Sequence, residues 1–145
     1  TVTEKTTSII TAPNTSMNAN TTNSVFSDSP CDGHSGFGVV FSELFPNPDG
    51  PDKGKEWIEL KNTTQHTQCL SGLRLIEGIS KIQSFTFPTM ILGAGEYLIM
   101  SDSLTKISLS NKNGKIQLLD NNGVKLDQVE YHDAPSGKSW SLKGP

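Results

Sequence analysis

The sequence predicts an all-β protein, a sandwich of two antiparallel sheets made from seven or eight short strands. Three observations carry that prediction. From Gly38 onward, runs of β-branched, aromatic and Leu residues recur roughly every 8 to 12 residues with turn chemistry between them. Several runs alternate apolar and polar residues, the signature of a strand with one face in a core. No segment keeps an apolar stripe of helical period over about ten residues, so helix is expected to be minimal or absent.

The first expected strand, Val39 to Phe45, places Val39, Phe41 and Phe45 on one side and Ser42 on the other. It is stopped by Pro46-Asn47-Pro48-Asp49-Gly50-Pro51, whose prolines lack the donors a central strand needs. Glu56 to Lys61 follows, with Ile58 and Leu60 as the core pair opposite Trp57 and Glu59. Strands over Leu73 to Ile76 and Ser84 to Phe87 come next. Gly93-Ala94-Gly95 then permits a tight reversal into Glu96 to Ser101, whose Tyr97-Leu98-Ile99-Met100 is apolar on both faces and reads as a central strand. Asn113-Gly114 and Asn122-Gly123 are hairpin signals on either side of Lys115 to Asp120, where Ile116 and Leu118 alternate with Gln117. Lys125 to Tyr131 and Ser139 to Leu142 complete the set, and both Trp57 and Trp140 are expected in the core or at its margin.

The chain has 145 residues and a net charge of −3, with 33% hydrophobic and 19% charged residues, room for one domain. Its apolar residues are concentrated after Gly36. Residues 1 to 30 hold eight Thr, five Ser and four Asn with Phe26 as the single aromatic, too few apolar groups to offset the entropy of ordering the backbone. Residues 1–36 are therefore expected to be a disordered linker or stalk, and 37–145 the folded domain. The start at Thr1 suggests a processed protein or a piece of a longer one. Scattered lysines at a pI near 5.5 make no basic stripe for nucleic acid, and no apolar run approaches the ~20 residues of a membrane-spanning helix. Sequons occur at Asn14, Asn20 and Asn62, as they do by chance in Thr-rich sequence.

The order of short motifs resembles one known family. Val39-Val40-Phe41-Ser42-Glu43-Leu44 before Pro46-Asn47-Pro48 and Gly50, then Glu56-Trp57-Ile58-Glu59-Leu60 and Asn62, is similar to the opening of the lamin tail domain of prokaryotic secreted proteins. Leu70-Ser71-Gly72-Leu73, Phe87-Pro88 with Leu92-Gly93-Ala94-Gly95-Glu96-Tyr97-Leu98, and Leu109-Ser110-Asn111 before Ile116-Gln117-Leu118-Leu119-Asp120 continue it in order. Gly123, Asp127, Val129, Tyr131 and Gly137-Lys138-Ser139-Trp140-Ser141 close it. The resemblance covers residues 38 to 142 and implies an immunoglobulin-like sandwich. Nuclear members carry coiled-coil heptads, a basic localisation cluster and a terminal Cys box; none has a counterpart in these residues, so a nuclear-lamina role is not carried over.

Cys31 and Cys69 are the only cysteines. A disulfide between them would tie the stalk to the sandwich and contribute roughly 4 kcal/mol in the chain-entropy model. With the stalk and sequons, it leans towards an oxidising compartment; two free thiols of a cytosolic protein are the alternative. Catalytic signatures fail on spacing. Gly137-Lys138-Ser139 has His132 where a phosphate loop needs Gly, and Gly93-Ala94-Gly95 lacks a third glycine. His34, His66 and His132 read as loop residues, and no zinc signature is present. Asp49, Asp52 and Glu56 form the best acidic loop for Ca²⁺, but Pro51, Lys53 and Lys55 break and offset it, so a solvated loop is expected.

No catalytic residue, cofactor or metal is therefore expected. The expected function is a non-catalytic binding or anchoring module of a prokaryotic protein, extracellular or at the cell surface. It would be a monomer holding a protein or cell-envelope partner through loops at one end of the sandwich or through an open sheet edge. The alternative is a targeting or substrate-positioning appendage of a larger secreted enzyme such as a nuclease. A third reading, the domain itself as a hydrolase, would require activity that depends on His132.

Overall fold

The β-branched and aromatic runs fold as strands for the reason their alternation suggests: each has one face to bury. The computed structural model describes Thr7–Ser8, Cys31 and residues 36–142. Most of the stalk expected over 1–36, with Asn14, Asn20 and His34, lies outside the described residues. In chain order the strands are β1 (Thr7–Ser8), β2 (Val39–Phe45), β3 (Trp57–Asn62), β4 (Gln68–Cys69), β5 (Arg74–Glu77), β6 (Gln83–Thr86), β7 (Ile91–Leu92), β8 (Tyr97–Ser101), β9 (Asn113–Leu119), β10 (Lys125–His132) and β11 (Trp140–Ser141). One short helix, α1 (Asp102–Thr105), follows β8. Ser101 caps it by accepting from the Leu104 N–H at 3.3 Å, and Lys106 ends it in the left-handed region.

Two sheets face each other, one ordered β1-β8-β3-β2-β11 and the other β10-β9-β5-β6, and a two-stranded ribbon of β4 and β7 lies beside them. Apart from β1, which runs parallel to β8, every pairing is antiparallel. All eight expected strands are present, and only the two-residue elements β1, β4 and β7 were not anticipated. Ile58 and Leu60 are buried as expected, and with Val39, Phe41, Leu44, Leu75, Leu98, Met100, Ile116 and Leu118 they fill the space between the sheets. The indoles sit at its margins. Trp140 packs edge-on against Tyr131, with ring centres 5.4 Å apart, and Trp57 lies 5.6 Å from Phe45.

Three expectations need correction. The register of β2 against β3 shifts between Phe41 and Glu43, so Leu44, not Phe45, shares the inward face with Val39 and Phe41. β8 buries one face only: Leu98 and Met100 point inward, while Ile99 is 39% exposed and only Tyr97 and Leu98 pair with β1. Asn113-Gly114 is no hairpin turn, because both residues belong to β9, opposite His132 and Tyr131. Gly114 is there for space, since a Cβ on it would lie 2.0 Å from Tyr131 Cζ. Asn122-Gly123 does turn: Gly123 adopts φ 82° and donates to the Asp120 carbonyl at 3.0 Å.

The shift in β2 frees the Phe41 N–H from the ladder, and Asp127 Oδ2 accepts it at 2.8 Å. Asp127 itself follows an irregularity in β10, where the register shifts between Lys125 and Asp127. Two bulges on opposite sheets are thus joined by one carboxylate, which satisfies a backbone donor that would otherwise be left over.

Candidate functional site

Strand register sets two ends of the sandwich. Val39, Asn62, Arg74 and Lys125 mark one end; Phe45, Trp57, Ser101, Glu77, Asn113 and His132 mark the other, where α1 lies. The ionisable side chains with perturbed chemistry, Glu56, Glu77 and Tyr131, gather at the α1 end.

The acidic loop is a scaffold whose carboxylates take separate partners. Asp49 Oδ1 accepts from Ser136 Oγ at 2.9 Å, Asp52 Oδ2 accepts from Asn111 Nδ2 at 2.8 Å, and Glu56 Oε2 accepts from the Leu109 N–H at 3.1 Å. These contacts tie the proline-rich segment after β2 to two neighbouring loops, Asp49 to the one after β10 and Asp52 and Glu56 to the one between α1 and β9. Among the described residues no group of three or more His, Cys, Asp or Glu side chains is arranged to hold a metal ion. Gly137, within the Gly137-Lys138-Ser139 sequence, is a turn residue whose N–H donates to the Asn47 carbonyl at 2.8 Å.

Glu56 is 2% exposed, so it is no solvated loop carboxylate. Burial pushes its pKa up to about 7, the Asp102 and Asp52 charges add to the rise, and hydrogen bonds from Leu109 and Ser108 oppose it. Its Oε1 has no hydrogen-bond partner. Glu77, also buried, accepts from Gln83 Nε2 at 2.8 Å and is likewise raised by desolvation. The Tyr131 hydroxyl is buried without a partner; desolvation, then the charges of Glu77 and Glu56, hold it protonated. A carboxyl near neutrality suits proton transfer. Here, however, it is enclosed, and its Oε2 is taken up by the Leu109 N–H. The arrangement gives a pH-dependent interior at one end of the fold.

The histidines do not converge. His132 is exposed, with Nδ1 2.8 Å from Asn113 Oδ1, and His66 is exposed in the loop after β3. The Asn62 sequon is structural: Asn62 is fully buried, its Nδ2 donates to the carbonyls of His66, Leu92 and Gly93, and its Oδ1 accepts from Thr64. No room remains there for a glycan. Glu77, Asp102 and Asp127 were not singled out as interior groups from the sequence. The apolar neighbours of Glu77 in Leu75-Ile76-Glu77 were the available signal, since alternation puts Glu77 on the face of Leu75.

Cys31 and Cys69 are joined, with Cα atoms 4.7 Å apart and 38 residues of separation. The bridge attaches the chain to β4, at the end away from α1. Residues 33–133, more than half of the chain, match the family model described as Lamin Tail Domain. The chain belongs to the lamin tail domain family. The lamin tail domain is a non-enzymatic, immunoglobulin-like module of the protein-interaction type, and the two-sheet sandwich agrees with that assignment. No curated protein matches the chain. No helix among the described residues is long and apolar enough to cross a membrane.

Proposed function

We propose that this lamin tail domain is a non-catalytic binding or anchoring module that works outside the cell or at its surface. The observation that carries the reading is the Cys31–Cys69 bridge, because structural disulfides persist in oxidising compartments and are rare where thiols are kept reduced. Membership of a non-enzymatic family supports the absence of catalysis, as does the enclosure of Glu56 and Glu77. Residues 1–36, apart from the paired Thr7–Ser8 and the bridged Cys31, serve as the linker that holds the sandwich away from its neighbour, and the protein acts as a monomer.

The test is alkylation and intact mass of the protein recovered from its own host. Uptake of no label before reduction and of two labels after it is the expected result. Labelling of both thiols without reduction would overturn the extracellular assignment.

A further inference from the structure

We propose that the outer edge of β8 is a strand-acceptor surface, and that the strand it takes is this chain's own residues 7–11, lying parallel to it as a strap. The proposal rests on the linker role of residues 1–36 and gives that linker a seat on the sandwich.

The edge follows from hydrogen-bond alternation. The Asn62 N–H donates to the Glu96 carbonyl and the Asp102 N–H to the Glu56 carbonyl, both at 3.0 Å. These bonds bracket the ladder of β3 and β8, so by the two-residue period of a strand Leu98 and Met100 turn their backbone groups towards β3. Tyr97, Ile99 and Ser101 turn theirs outward. β1 meets only the first part of this row, with Thr7 opposite Tyr97 and Ser8 opposite Leu98. A parallel ladder in that register joins Ser8 to the Tyr97 carbonyl and the Ile99 N–H. At the far end the Ser101 carbonyl accepts from Thr105 Oγ1 at 3.1 Å. The Ile99 carbonyl and the Ser101 N–H have no partner among the described residues, and Ile99 is 39% exposed. An open edge of this kind is a template for another strand.

Register, sequence and reach identify the occupant. Continuing the pairing places Ile9 opposite Ile99, Ile10 opposite Met100 and Thr11 opposite Ser101, which puts Ile10 where its N–H and carbonyl answer both open groups. Ile9 and Ile10 are the only isoleucines in residues 1–30, and residues 6–13 are uncharged and rich in β-branched side chains. Pro13, which has no N–H to give, closes the run. Residues 9–30 connect β1 to Cys31, which is bound to Cys69. Drawn out they reach roughly 75 Å, so the segment stays near its own β8 at an effective concentration in the millimolar range, and a second copy in dilute solution cannot compete. Seated, the strap leaves residues 1–6 outside the sandwich, a reach of about 20 Å; released, residues 1–30 reach about 100 Å. The linker thus has two lengths, set by one short ladder.

The test is amide hydrogen exchange of the full chain followed by NMR and read at Ser101, because pairing by Thr7 and Ser8 alone leaves that N–H open. Protection of at least about tenfold over a free amide is expected, unchanged on roughly tenfold dilution. Ile10→Pro removes the donor that faces β8 and should abolish the protection. Thr11→Pro removes a donor that faces away and should retain it. A peptide of residues 6–13, added to the Ile10→Pro protein at millimolar concentration, should restore it. Matching near-ultraviolet circular dichroism shows that the variants keep the parent fold. An unprotected Ser101 in the parent, indifference to Ile10→Pro, or equal loss in both variants would overturn the proposal. So would protection that falls on dilution, which would assign the edge to a second copy. Bridged cysteines with an open Ser101 would sink the strap and leave the extracellular module standing; free thiols with a protected Ser101 would do the reverse.

Discussion

Replacing Glu56 by Gln is expected to stabilise the domain, and by an amount that depends on pH. A carboxyl that titrates at about 7 in the folded protein and 4.5 in its ordinary state takes up a proton on folding between those values. Below pH 4.5 Glu56 is neutral in both states and burial carries no ionic penalty. As pH rises towards 7 the unfolded chain ionises first, the folded state is left behind, and stability falls. Above pH 7 the full cost, about 3 kcal/mol, is present. Glu56→Gln removes the charge while keeping an oxygen that can accept the Leu109 N–H. Urea unfolding of both proteins at intervals from pH 4 to 9 gives the measurement. The difference should be near zero at the acid end, grow through pH 5 to 7 and level at about 3 kcal/mol. Glu77, also raised, contributes in the same direction to both proteins and cancels in the comparison. A difference that stays flat across the range would refute the reasoning, because ionisation of a buried Glu56 would then carry no cost.

Gly114→Ala should destabilise by about 3 kcal/mol or more, since the new methyl group would meet a Tyr131 ring already packed edge-on against Trp140. Thermal unfolding with near-ultraviolet circular dichroism reports both stability and ring environment, and a loss below about 1 kcal/mol would show that the ring can move aside. Asp127→Ala leaves the Phe41 N–H without its acceptor and should cost about 2 kcal/mol in urea unfolding; an effect under about 0.5 kcal/mol would mean that the link between the bulges adds no stability.

The strands were legible because their information is local. Ile116-Gln117-Leu118 and Trp57-Ile58-Glu59-Leu60 alternate, and alternation needs only neighbours to be read. The errors arose where distant residues decide. Asn113-Gly114 has the composition of a tight turn, yet its glycine serves a tyrosine on the next strand. The bulge after Phe41 moves the core position from Phe45 to Leu44, and its stabilising partner, Asp127, lies 86 residues away. Tyr97-Leu98-Ile99-Met100 is apolar on both faces, but strand order leaves Ile99 outward. Glu56 looked like a solvated loop carboxylate because its loop is acidic and carries lysines; its depth comes from the segment carrying Leu109, which no local pattern announces. The cysteines were the opposite case, since two residues allow one pairing.

That pairing also sets how the domain responds to force. Once the two-residue pairing of β1 with β8 is passed, a pull applied on the N-terminal side of Cys31 reaches β4 through a covalent bond before it loads any other strand ladder. The 38-residue span from Cys31 to Cys69 contains β2 and β3, and roughly 130 Å of chain contour is thereby withheld from extension. Under tension the centre of the first sheet can be sheared from its neighbours, but β2 and β3 cannot be drawn out into a line. Reduction of one bond would convert a short, stiff tether into a long, yielding one.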